Sequence, residues 1–153
     1  RRLPPRGPPG GAARAAARGV GAIGHGTDIA GSIRYPAYAC GIRGLRPTLG
    51  RIPAVNRSGP DRTIGAQLMA VSGPLARTIA DVRLGFEALA APHLDDPWHT
   101  PVPLKMDAPR TAAIDLEPQG MTTAPEIKAA LLAAAEAPRA AGWRVEPIRG
   151  TCP

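Results

Sequence analysis

Hydrophobic and polar positions along the chain divide it into segments of different character. Gly19–His25 (GVGAIGH) is a short run of small apolar residues, which predicts a buried strand. Glycine or proline then recurs through residues 26–51, predicting a loop over Gly26–Pro36 and irregular chain with short extended pieces over Tyr38–Arg51. Residues 52–70 predict a surface loop (Asn56–Arg62) followed by a small-apolar strand or turn over Ile64–Val71. Ile79, Val82, Phe86 and Leu89 then fall at helical spacing behind Thr78-x-x-Asp81, a capping pattern. They predict an amphipathic helix over 79–91 ended by Pro92. Pro92, Pro97, Pro101, Pro103 and Pro109 forbid a regular helix in the connector that follows. Thr111–Leu116 reads as a strand. Thr123–Glu126 opens a second helix, with Ile127, Leu131 and Leu132 as its apolar stripe. Pro138 kinks or ends that helix, and Gly142 suits the position just past it. Trp143–Ile148 alternates apolar and polar, as a half-buried strand does. Strand, helix and strand at this spacing predict a βαβ unit, and with it the α/β class.

Residues 1–18 have no such periodicity. They are Arg, Pro, Gly and Ala apart from one leucine, text that cannot offset its ordering entropy by burying large apolar groups. The sequence alone reads them as a disordered basic tail. The same tail changes the meaning of the net charge of +7. Five arginines (Arg1, Arg2, Arg6, Arg14, Arg18) and no acid lie in it, and the rest of the chain is close to balance. No basic stripe interleaved with aromatics follows, so the charge does not predict a nucleic-acid partner. Cys40 and Cys152 lie far apart and outside any CxxC, which argues against a zinc or redox site. No apolar run is long enough for a bilayer span and no secretion signal is visible, so the expected location is cytoplasmic. With 19 prolines and 18 glycines in 153 residues, the composition suits a piece of a larger α/β protein better than a free-standing domain.

The chemistry concentrates in Gly26–Arg51, GTDIAGSIRYPAYACGIRGLRPTLGR. Ser32 follows small residues and precedes Arg34, a setting in which backbone N–H groups approach a bound anion closely. The stretch resembles the second half of the signature of the amidase signature family, close to G-T/S-D-x-G-G-S-I-R-x-P-A-x-x-C-G-x-x-G-L-K-P-T-x-G-R. Gly26, Thr27, Asp28, Gly31, Ser32, Ile33, Arg34, Pro36, Ala37, Cys40, Gly41, Gly44, Leu45, Pro47, Thr48, Gly50 and Arg51 stand in register. Ala30 replaces the first glycine and Arg46 the usual lysine. Ser72–Asp81 (SGPLARTIAD) is similar to a second family segment.

The resemblance implies a partial amidase-signature fold over residues 19–150, a mixed sheet flanked by helices with a disordered tail before it. It implies hydrolysis of a carboxamide C–N bond in a small-molecule substrate, with no metal or organic cofactor. Ser32 would be the nucleophile, the backbone N–H groups of Ile29, Ala30, Gly31 and Ser32 the oxyanion hole, and Thr27, Asp28 and Arg34 the loop supports. In the family a second serine in a cis peptide relays the proton to a lysine upstream. Here no serine precedes Ser32, and the two lysines, Lys105 and Lys128, both follow it. The alternative is therefore an inactive remnant. Counting back from Ser32, the family's serine-rich glycine loop falls on Pro8, Pro9, Gly10 and Gly11, so residues 1–18 also read as an out-of-frame or degenerate version of that loop. A dyad of Ser32 with His25 is a further base arrangement. The amide hydrolysed and the oligomeric state are not legible.

Overall fold

The structure is a computed structural model and describes residues 10–55, 62–104 and 109–148. In chain order these form α1 (Gly10–Ala17), β1 (Ile23–Asp28), α2 (Arg34–Cys40), β2 (Arg43–Gly44), α3 (Ile64–Met69) and β3 (Val71–Ala76). After them come α4 (Ile79–Leu89), β4 (Thr111–Ile114), α5 (Pro125–Ala140) and β5 (Arg144–Pro147). The chain divides into two units between Leu104 and Lys105. The boundary falls within the proline-rich connector.

In the first unit β3 is the central strand of an antiparallel sheet ordered β1-β3-β2. All six β3 residues are buried, yet the sequence reading placed no strand there. The obstacle is Pro74, a residue usually confined to sheet edges. Its carbonyl accepts from the Leu45 N–H at 3.0 Å, but it has no N–H to return to Leu45. The lost bond therefore falls on the side of β2, which is only two residues long, and the ladder to β1 is untouched. Ile64–Val71, expected as a strand or turn, is also corrected: most of it is α3. β1 begins at Ile23 and runs to Asp28, later than the strand expected at Gly19–His25.

The expected disordered tail is corrected from Gly10 onward; residues 1–9, with Pro8 and Pro9, lie outside the described residues. Gly10–Ala17 is a helix that buries Gly10, Ala13 and Ala16. Ala13 joins Ile33, Ala37 and Leu75 in the core. Alanine loses no side-chain entropy on helix formation, so short side chains suffice where the helix lies close to its neighbours. That closeness is measurable at Gly24, where an added Cβ would come within 3.2 Å of the Ala12 Cβ. The helix ends on Gly19 at φ 77°. There the Gly19 and Val20 N–H groups donate to the Ala16 and Ala15 carbonyls, and Arg77 Nη1 donates to the Ala16 carbonyl at 2.8 Å.

α4 forms as its sequence predicts. The Thr78 hydroxyl accepts from the Asp81 N–H at 3.1 Å and donates to the Asp81 carboxylate at 2.7 Å. Val82 and Gly85 are buried, while Ile79 is exposed. Thr78→Ala is expected to lower stability by about 1 kcal/mol, read as a shift of the urea midpoint at unchanged slope.

The second unit is the predicted βαβ arrangement. β4 and β5 pair in parallel, with Thr111 opposite Arg144 and Ile114 opposite Pro147, and α5 connects them. Its cap is Ala124 followed by Pro125, with no side-chain bond, so Thr123 does not cap the helix. A proline in the first turn replaces the capping side chain because its missing N–H would have had no helical partner. Pro138 lies in the last turn, and the Gly142 and Trp143 N–H groups close the helix on the Arg139 and Pro138 carbonyls.

Candidate active site around the serine loop

Ser32 lies in the turn that joins β1 to α2. The segment expected to be loop over Gly26–Pro36 is therefore the end of a strand, a tight turn and the start of a helix. Pro36 sits in the first turn of α2, where the Tyr35 and Ala37 N–H groups on either side donate to the Gly31 and Ile33 carbonyls, and Gly41 ends the helix at φ 69°. Ser32 is half-buried, Ile29 and Ala30 are exposed, and Gly31 and Ile33 are buried. Cys40 is a half-buried free thiol against the core.

Asp28, fully buried, organises this turn. Its Oδ1 accepts from the Gly31 N–H at 2.7 Å and its Oδ2 from the Ile33 N–H at 3.1 Å, so the two bonds bracket Ser32. Arg34 closes on the same carboxylate as a fork, Nε to Oδ2 and Nη2 to Oδ1, both at 3.1 Å. Arg46 Nε stands 3.8 Å from Oδ1, and Arg46 Nη2 donates to the Met69 carbonyl. Burial pushes the Asp28 carboxyl up, but the bonds from the Arg34 guanidinium and from the backbone N–H groups of Gly31, Ile33 and Arg34 outweigh it. They hold Asp28 well below the usual carboxylate range. The same fork raises Arg34 above its ordinary value.

The four donors expected from sequence are not equivalent. The Gly31 N–H is engaged by Asp28, whereas no acceptor among the described residues takes the N–H of Ile29, Ala30 or Ser32. Gly31 has φ 102°, and an added Cβ there would overlap the Tyr35 ring. Ala30 carries no such strain, because Gln119 is the only positive-φ residue other than glycine among those described. Thr27 is half-buried and lies opposite Ser72 on β3.

The base and relay implied by the resemblance lie upstream of Ser32, and the described residues hold no serine or lysine before it. The described residues contain no cis peptide bond. Lys128 pairs with Glu117 in the second unit, and Lys105 lies outside the described residues. His25 sits on β1 opposite Pro74. Among the described residues no group of three or more His, Cys, Asp or Glu is placed to hold a metal ion, and no helix is long and apolar enough to cross a membrane.

Residues 5–151 match the family model for amidase. The chain belongs to the amidase signature family. The indoleacetamide hydrolase of Bradyrhizobium diazoefficiens is 43% identical over 143 residues, covering 91% of this chain and 27% of that protein. A glutamyl-tRNA(Gln) amidotransferase component from Staphylococcus saprophyticus is 36% identical over 155 residues, covering 94% of this chain and 30% of that one. Among solved structures, a bacterial aryl acylamidase of the amidase signature family matches with a TM-score of 0.71 at 28% identity, over 91% of this chain and 29% of that one. A fatty acid amide hydrolase matches with a TM-score of 0.68 at 32% identity, over 94% and 26%. The chain thus spans under a third of the length of these amidase relatives.

Proposed function

We propose that this chain carries the nucleophile loop of a carboxamide hydrolase, with Ser32 as the acylated residue. The observation that carries the reading is the Asp28 clamp, which fixes both neighbours of Ser32 and leaves the N–H groups of Ile29, Ala30 and Ser32 unclaimed within the described chain. Ser32 Oγ attacks the amide carbon, and the carbonyl oxygen becomes an oxyanion held by those donors. The C–N bond then breaks, the serine proton leaves on the departing nitrogen, and water later frees the acid from the ester.

The indoleacetamide hydrolases at 43% and 41% identity favour an arylacetamide as substrate. The partner in this reading is a small amide rather than a nucleic acid, since most of the positive excess lies in residues 1–18. The location is cytoplasmic, where a free thiol such as Cys40 stays reduced.

The second reading is an inactive family member, in which Ser32 takes no acyl group. A fluorophosphonate probe separates the two. Labelling of the folded chain that disappears in Ser32→Ala supports the nucleophile, and a folded chain that takes no label supports the inactive reading.

A further inference from the structure

The first unit holds a cavity of about 310 Å³ that no residue of the serine loop lines. That volume is at the lower end of the range for small-molecule sites. Buried Ile52 and Val71 and half-buried Leu49 give it an apolar lining. Trp98, 39% exposed, forms another part of the wall. The ring N–H donates to Gln67 Oε1 at 3.1 Å, and the Trp98 backbone N–H donates to Asp96 Oδ1 at 2.9 Å. Gln67 is held in turn, because its amide nitrogen donates to the Arg62 carbonyl at 2.6 Å.

An indole held this way, with its N–H already bonded, has its ring surface left to offer a guest. Arg62, Asp95 and Asp96 also line the cavity, and a guanidinium at its wall can lie over the face of an aromatic guest. Val71 is the register partner of Asp28, so the cavity adjoins the end of β1 from which the serine turn departs.

We infer that this cavity receives the aromatic end of the substrate, an aryl ring joined by a short arm to the carboxamide, with Trp98 as a specificity-determining residue. The inference rests on the arylacetamide reading above for the reactive end of the guest.

The chain has two tryptophans, so Trp143→Phe leaves Trp98 as the sole indole reporter. In that background 2-phenylacetamide is expected to produce a saturable change in Trp98 emission, and propionamide none over the same range. Calorimetry is expected to show phenylacetamide binding about tenfold weaker in Trp98→Leu. It is expected to show a smaller loss in Gln67→Leu, which keeps the indole and removes its anchor. A silent Trp98, or an equal response to propionamide, overturns the inference. Adding Ser32→Ala keeps the test apart from the chemistry, since the emission change is expected to persist there. Fluorophosphonate labelling of Ser32 together with a silent Trp98 overturns the ring site and leaves the nucleophile reading standing.

Discussion

Asp28→Asn is expected to destabilise the first unit by about 3 kcal/mol, the upper end of the cost of leaving a buried backbone donor unsatisfied. The loss is in the backbone more than in the visible salt bridge. Arg34 is more than half exposed and returns to water at little cost. The Gly31 and Ile33 N–H groups are buried, and an asparagine has a single oxygen with which to accept from both. Its NH2 group would also face donors. Urea unfolding of the full chain measures the loss.

The pH dependence has a definite sign. Asp28 titrates lower in the folded chain than the ordinary carboxylate value near 4, so the unfolded state binds the proton first as pH falls. The contribution of Asp28 is complete above about pH 5 and declines as the pH drops below about 4. The gap between wild type and Asp28→Asn therefore narrows in acid. A gap that stays constant down to about pH 2 contradicts the assignment. Because the two lost bonds flank Ser32, the variant is also expected to label more slowly with fluorophosphonate at neutral pH.

Gly73→Ala is expected to cost about 3 kcal/mol, the upper part of the range for overpacking. An added Cβ at Gly73 would overlap the Leu45 carbonyl oxygen and press on Ile33 Cδ1 at 3.1 Å. The first of these atoms is backbone and cannot rotate away. Pro74 explains why it sits there: deprived of a return bond from the proline nitrogen, the Leu45 carbonyl lies over the one residue of β3 that has no side chain. Thermal unfolding is expected to show a midpoint lowered by roughly 10 °C or more. Gly65→Ala on α3 is the control, since nothing lies within 4 Å of its added Cβ.

The sequence revealed this fold where large side chains or capping groups punctuate it. Thr78, Asp81 and Val82 announce α4, and the second unit is readable from its periodicity and from Gly142. The serine turn, with Asp28 and Arg34 as its supports, was legible through its dense agreement with a family pattern. Three elements were not legible because they work by proximity rather than bulk. α1 has no large apolar residue and buries Gly10, Ala13 and Ala16 by lying close to β1. α2 contains Pro36, and β3 contains Gly73 and Pro74, so each looks like a breaker until its tertiary partners are present. The unequal standing of the four turn donors was hidden as well. Nothing in the text GTDIAGS says that the Asp28 carboxylate takes one of them.

Pro74 has a consequence for how the edge formed by β2 is set. The nitrogen of Pro74 faces that edge with nothing to donate, so the Leu45 carbonyl opposite it goes without a return bond. It rests instead against the bare Cα of Gly73. The border of the sheet is thus fastened by few rungs, and the stretch leading back from α2 is held there by fit against a glycine as much as by pairing.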